Sequence, residues 1–436
     1  FPAGAGKQVS FTASGNVTGA GKPVVLNSDG TVSAISSSAS NVGSQDQFSP
    51  TTVYVDVSAI PATAMCYDTS NDRFIVAFKN ANNSNALTVV AASISGTNFT
   101  WGTPVAVAFT ANSNSYDIAF DTLRNCFVVV CQENSNLRCY TGTVSGTTIT
   151  VNSGSALTVS AANYTWVKAI FDATNNKTLL MARDSSSDGQ CFAISVDAAY
   201  APTTSSAYNF TNSQNIDNSS IGYNAAYDPD QGVVLIGYRG PSSVGYVNLV
   251  DCSGSNPTGT HLTNTSWSSS GFGGCDIAYD TANNQFVLSV YDSDNSYYLS
   301  YQAITATGKT TLTFGTKVTQ TTANTQFPLY METLYDTNAG AIVCTYEPNY
   351  SAVYAQKVTL SGTSPVIDSS LLTIVSNAIK GQFSGVYDPD TNQLNIAYVN
   401  TPSTDEGYAK AFNVASTNLT STNFIGISDA AISSAA

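Results

Sequence analysis

Charge is the scarcest commodity in this sequence. Only 10% of the 436 residues are charged, and 15 Lys and Arg stand against 29 Asp and Glu, a formal net charge of −14. Nucleic acid binding needs clustered cations to displace counterions, so cations scattered over the whole chain exclude it. An anionic membrane surface is disfavoured for the same reason. No apolar run approaches the ~20 residues of a spanning helix, and membrane insertion is not expected. His261 is the only histidine, and none of the eight cysteines (66, 126, 131, 139, 191, 252, 275 and 344) forms a C-x-x-C pair. A zinc site wants four converging N or S donors, so no metal and no cofactor are expected. The cysteines read as small buried core residues; Cys131 and Cys139, which flank "QENSNLR", are placed to bridge across a hairpin. A G-x-S-x-G elbow is missing, and "GFGG" (271–274) lacks the strand-to-helix setting of a phosphate loop. With no initiator Met and no signal-peptide pattern in "FPAGAGKQ", the chain is expected to be processed or part of something longer.

Ser, Thr, Asn and Gly fill the polar positions, a composition more usual outside cells than in cytosol. Aromatic residues make up 11%, with 24 Tyr, which rules out disorder. These residues repeat. Seven aromatic-Asp pairs end at Asp68, Asp121, Asp172, Asp228, Asp280, Asp336 and Asp388, at intervals of 53, 51, 56, 52, 56 and 52 residues. Each closes a short apolar segment and opens a turn such as "TANN" or "PDTN". A β-rich strand follows ("RFIVAF", "CFVVVC", "QFVLSV"), then a polar loop, a third strand and a weaker fourth. No helical period occurs. Four antiparallel strands per ~50 residues, repeated, is the pattern of propeller blades. The expected fold is an all-β, seven-bladed β-propeller over residues 48–414. The repeated Asp is read as structural, its carboxylate accepting turn N–H groups. "DPDTN" (388–392) resembles the start of a calcium loop, but Val399 stands where an EF-hand needs its last carboxylate.

Eleven residues past each marker the second strand ends, at Lys79, Gln132, Arg183, Arg239, Tyr291, Glu347 and Val399, and loops unlike one another follow. Constant turns at one end and variable loops at the other suit a scaffold with a diversified face. Sugars stack on flat aromatic rings while polar side chains bind their hydroxyls. The candidate glycan-binding residues are Trp101, Trp166, Trp267, Tyr297, Tyr298 and Tyr350, with Arg183, Arg239, Asp184 and Asp292 for polar specificity. No catalytic residue is assigned. A glycosidase needs two carboxylates across a cleft; Glu133, Asp184, Asp292 and Glu347 lie toward one rim and make a polysaccharide hydrolase the alternative chemistry.

The first 47 residues lack the blade pattern. "GKPVVLNSDGTVSAI" (21–35), with its Asn-Ser-Asp-Gly turn, and "NFIGISDAAIS" (423–433) resemble a small β module of tail-fibre and other virion proteins of bacteriophages, notably marine ones. In that module the two phrases lie together, so residues 1–47 are expected to be completed by 415–436, with the propeller inserted between. The resemblance implies a virion-surface or extracellular adhesin, with other virion or filament subunits as partners, a homotrimer among the arrangements. Its propeller would bind host-surface polysaccharide or glycan. A structural decoration or filament subunit is the alternative. The WD dipeptide, the kelch glycine pair and the Asp-box are all absent, and the resemblance carries over no catalytic residue.

Overall fold

The computed structural model describes residues 23–26, 31–34, 37–53, 62–108, 115–152, 156–212, 214–216, 223–264, 267, 271–320, 328–348, 351–400, 405–417 and 424–427. The chain divides into two compact units, one formed by residues 1–41 with 414–436, the other by 42–413. In the first, Pro23–Leu26 pairs antiparallel with Val32–Ala34 and with Phe424–Ile427, and Ser37–Ser38 pairs with Ser416–Thr417. The two terminal phrases thus share one sheet.

The second unit is a seven-bladed β-propeller. The fifth blade is typical: Phe272–Asp280, Gln285–Asp292, Tyr298–Thr307 and Thr311–Thr319 run antiparallel in sequence order. The strand ending in the marker Asp is innermost in every blade. Residues of all seven such strands, or directly beside them, line one axial cavity of about 330 Å³. The seventh blade takes its outer strand from the other end of the chain, where Asp46–Thr52 pairs with Glu406–Asn413. The boundary expected at residues 47/48 falls inside that strand. Apolar side chains alternate to both faces of each sheet and meet those of the next blade: Ala77 and Val89 meet Ile118 and Phe127 between blades 1 and 2. Phe48, Ala397 and Ala409 meet Met65 and Phe74 between blades 7 and 1. Neither face of one sheet could be buried alone, which is why the units close into a ring.

All seven marker aspartates are buried. Asp280 Oδ1 accepts the N–H groups of Ala282 (2.9 Å) and Asn283 (3.1 Å), and its Oδ2 takes Asn283 Nδ2 at 2.8 Å. Asp68 and Asp228 accept the corresponding N–H groups of their own turns. Four residues past every marker the backbone is left-handed, with φ between 52° and 63°, and the occupants are Asp72, Asn125, Asn176, Gly232, Asn284, Gly340 and Asn392. Those are the residue types that tolerate this conformation. The aromatic residue before the marker reaches the preceding blade. Tyr67 donates to Asp390 Oδ2 (2.9 Å) and Tyr279 to Asp230 Oδ2 (3.3 Å), while Tyr227 and Tyr387 accept from Thr174 N (2.8 Å) and Asn338 N (3.2 Å). Asp388 of "DPDTN" is used in the same way, accepting from Asp390 N and Thr391 N.

The eight cysteines are free and buried. A bridge between Cys131 and Cys139 is ruled out by register. Cys139 lies opposite Val130, and Cys131 opposite Arg138, so the two thiols point to opposite faces of the sheet.

Removing a marker carboxylate takes the charged acceptor from two turn N–H groups, and a hydrogen bond to a charged group contributes about 1.5–3 kcal/mol. Asp280→Ala should lower stability by at least ~2 kcal/mol. Tyr279→Phe should cost under ~1 kcal/mol, since Phe120 and Phe171 occupy that place in two blades. Denaturant midpoints at unchanged slope test the difference.

Candidate functional site

The loop face lies where second strands end, and its side chains are held by adjacent blades. Arg239 Nη1 donates to the carbonyl of Gly273 in the fifth blade (3.3 Å), and its Nη2 to Ser243 Oγ (2.8 Å). In the equivalent place Arg183 donates to Ser187 Oγ, again four residues on, and its guanidinium carbon lies 5.0 Å from the Trp166 ring centroid. Gly273 is required where it stands: a Cβ there would lie 2.0 Å from Tyr291 Cδ1. Tyr297 stacks on Tyr291 at 5.4 Å and 25°, and Tyr297 is 39% exposed. Burial pushes the Tyr291 phenol up to about 12 against the pull of nearby Arg239. Arg239, Tyr291 and Tyr297 therefore form one surface: a planar exposed ring, a second ring supporting it, and a guanidinium alongside. That combination offers a stacking face and directional donors to a polyol.

The other sequence candidates sort by burial. Trp267 is 1% exposed, edge-on to Phe272 and beneath the Lys317 ammonium at 4.9 Å; it is a core residue and presents no stacking face. Asp292 is likewise engaged inside, bound by Lys317 Nζ (3.0 Å), Ser300 Oγ (2.8 Å) and Asn295 Nδ2 (2.7 Å). Burial would push its carboxyl up, but those partners outweigh it and hold it below the usual carboxylate range. Trp101 stacks on Phe99 (5.3 Å, 19°) and touches Phe48 of the seventh blade. It pairs with Ala92, which faces Phe74 at the start of the second strand, so it lies toward the turn end. Asp184 shapes its own loop by accepting from Ser186 N and Asp188 N. Tyr298 is half-buried and opens the third strand of its blade. Tyr350 lies outside the described residues.

The four rim carboxylates are held by different partners. Glu133 is held by the Tyr140 hydroxyl and by Arg138 (3.2 Å). Glu347 is buried and accepts Ile379 N at 2.8 Å, its Oε2 has no partner among the described residues, and burial pushes its carboxyl up to about 7.

A second polar constellation, which the sequence reading passed over, lies on the axis. Four residues before the markers stand Asp117, Lys168, Asn224, Asp276, Glu332 and Ser384, all lining the axial cavity. Asp117 accepts Ile118 N and, across the blade boundary, Ala169 N, both at 2.9 Å. Asp276 accepts Ile277 N (2.8 Å) and Thr333 N of the next blade. These acids satisfy the unpaired inner edges of neighbouring sheets. Burial pushes Asp276 up to about 6 despite Lys168, and burial, Asp276 and Asp117 hold Glu332 well above its ordinary value. The signal was in the sequence: "DIAFD" and "DIAYD" carry an acid at both ends.

Two consequences can be measured. Trp267→Ala should cost about 3–5 kcal/mol, as large buried aromatics do. Acids whose folded values are raised contribute stability in acid that is lost as pH rises through those values. The thermal midpoint should fall between about pH 5 and pH 8, and Glu347→Gln should flatten that slope.

No protein-family model and no curated protein matches this chain. Among solved structures, the BP39L lectin from Burkholderia pseudomallei is 14% identical, covering 84% of this chain and 99% of the lectin, with TM-score 0.59. A protein from Lactobacillus plantarum is 11% identical over 73% of this chain and 86% of its own, with TM-score 0.51. The periplasmic gluconolactonase PpgL of Pseudomonas aeruginosa is 11% identical over 77% and 94%, with TM-score 0.49. At these identities the likeness lies in the propeller fold alone.

Proposed function

We propose that this protein is a non-enzymatic glycan-binding propeller, a phage virion adhesin that takes host-surface sugars on its loop face. The observation that carries the reading is the exposed Tyr297 ring laid on Tyr291 beside Arg239. A sugar presents an apolar C–H face and a rim of hydroxyls, and this patch complements both. The Arg183–Trp166 pair one blade away supplies a related second contact. A propeller neighbour that is itself a lectin fits this reading. Display on a virion, outside cells and in a trimeric assembly, rests on the likeness of the two terminal phrases to phage β modules. Asp184, Asp292 and Glu133 are engaged in holding loops and strands, which favours binding over hydrolysis. Glu347, raised toward neutrality, is the acid a hydrolase reading would use.

Surface polysaccharides from candidate host cells, incubated with the purified protein, should retain it without releasing new reducing ends. Tyr297→Ala and Arg239→Ala should each weaken retention about tenfold, equivalent to ~1.4 kcal/mol, and Tyr297→Ala should leave the thermal midpoint unchanged. New reducing ends, abolished by Glu347→Gln, would overturn the non-enzymatic assignment. Absence of retention would overturn glycan binding.

A further inference from the structure

The axial cavity is lined by polar side chains that the backbone uses and by two donors that it does not. Asp117 accepts Ile118 N and Ala169 N, both at 2.9 Å, and Asp276 accepts Ile277 N (2.8 Å) and Thr333 N. Glu332 accepts from Gly385 N. Each of these acids thereby takes the N–H three residues before the next blade's marker and ties two inner strands together. Asn224 Oδ1 accepts the N–H of Ala225 at 2.9 Å. What the strands leave over is the Asn224 amide nitrogen and the Lys168 ammonium, and both residues line the cavity. Lys168 is drawn to Asp117, Asp276 and Glu332 through space. Among the described residues, however, neither its ammonium nor the Asn224 amide nitrogen has a hydrogen-bond partner.

We propose that the axial cavity is a second binding site, which takes a small zwitterion carrying both a carboxylate and an ammonium, as an amino acid does. The order of side chains around the axis carries this assignment. From the second blade to the sixth it runs Asp117, Lys168, Asn224, Asp276, Glu332. The two spare donors stand on adjacent blades, and the acids Asp276 and Glu332 on the next two. A bare anion drawn to Lys168 would face three carboxyls, and a bare cation drawn to the acids would face the ammonium. A molecule with both charges meets each side with its opposite, through charge-assisted hydrogen bonds. A carboxylate oxygen has a second lone pair beyond the one given to a backbone N–H, so Asp276 and Glu332 can receive a ligand ammonium without releasing the strands. Those backbone bonds also fix the carboxyls before any ligand arrives, which limits the ordering cost of binding. The volume of about 330 Å³ lies at the lower end of small-molecule sites, about 300–1,000 Å³, and restricts the ligand to a small one. The loop-face patch is a separate place: Arg239, Tyr291 and Tyr297 do not line this cavity.

Calorimetric titration of the full chain near neutral pH, with glycine, β-alanine, 4-aminobutyrate and 5-aminopentanoate in turn, reads the separation of the two sides. Butylamine and butyrate, each with one of the charges alone, are the controls. The best zwitterion should bind at least about tenfold more tightly than either control, the factor one charge-assisted contact supplies. Lys168→Met should weaken that zwitterion about tenfold and leave butylamine bound at least as tightly as before, a reversal that a merely structural lysine would not produce. Asn224→Ser, which removes the amide nitrogen and keeps an oxygen, should weaken the zwitterion about threefold. Tyr297→Ala, on the loop face, should titrate as the wild type does. The wild-type ranking needs no variant to fold. Failure of every zwitterion to bind, or a control as tight as the best of them, would overturn the proposal. So would unchanged affinity in folded Lys168→Met, or binding lost in Tyr297→Ala.

Discussion

The structure depends on a four-residue turn closed by a buried carboxylate. An antiparallel sheet that reverses this tightly leaves N–H groups without partners, and one aspartate accepts two of them while its neighbours carry the left-handed residue the turn needs. Because that acid sits at the end of the innermost strand, the preceding aromatic ring is placed between blades. In several blades its hydroxyl then reaches the previous turn. Local turn chemistry and blade-to-blade cohesion are thus encoded in two adjacent residues. Repeating the pair seven times builds a ring whose neighbours are tied at one face.

Among the described residues the other face carries no device repeated in all seven blades, although Asn80, Asp184 and Asp292 each accept the N–H two residues on. At the loop end, the residue eleven past the marker is Lys, Gln, Arg, Arg, Tyr, Glu or Val, and apart from the two arginines, each bound to a serine four residues on, the junctions differ. Arg239 holds a bulged carbonyl, Glu347 an incoming N–H, and Val399 packs into the core. Since ring cohesion is supplied at the turn face, on the axis and by the apolar interfaces, these positions can vary in chemistry without opening the fold. That division of labour leaves the loop face free to differ from blade to blade, as the proposed recognition role requires. The glycan-binding reading is a consequence of where the scaffold can tolerate variety.

Scarcity of charge has a structural counterpart. Several of the acids carry backbone duty: the markers hold turns, Asp117 and Asp276 join inner strands of adjacent blades, and Asp184 shapes a loop. A carboxylate with two accepting oxygens satisfies exposed strand edges economically, and burial then shifts its proton affinity. The chain's net acidity is therefore partly architectural.

The repeat period, the strand content, the marker turns and the constant-versus-variable ends were legible from the sequence, because each is a local property of turn chemistry or side-chain alternation. So was the axial acid in "DIAYD", although its role was not, since nothing local says which strand of a blade faces the axis. Tertiary structure decided the rest. Trp267 and Tyr297 lie in similarly polar stretches, yet packing against Phe272 buries one and a left-handed turn exposes the other. Cys131 and Cys139 flank one loop, yet register sends them to opposite faces. Asp46–Thr52 carries no blade signature, and only the third strand of the seventh blade, left with an open edge, draws it in. Pattern specifies what each strand can do; the partner across the sheet or the seam determines which of those things it does.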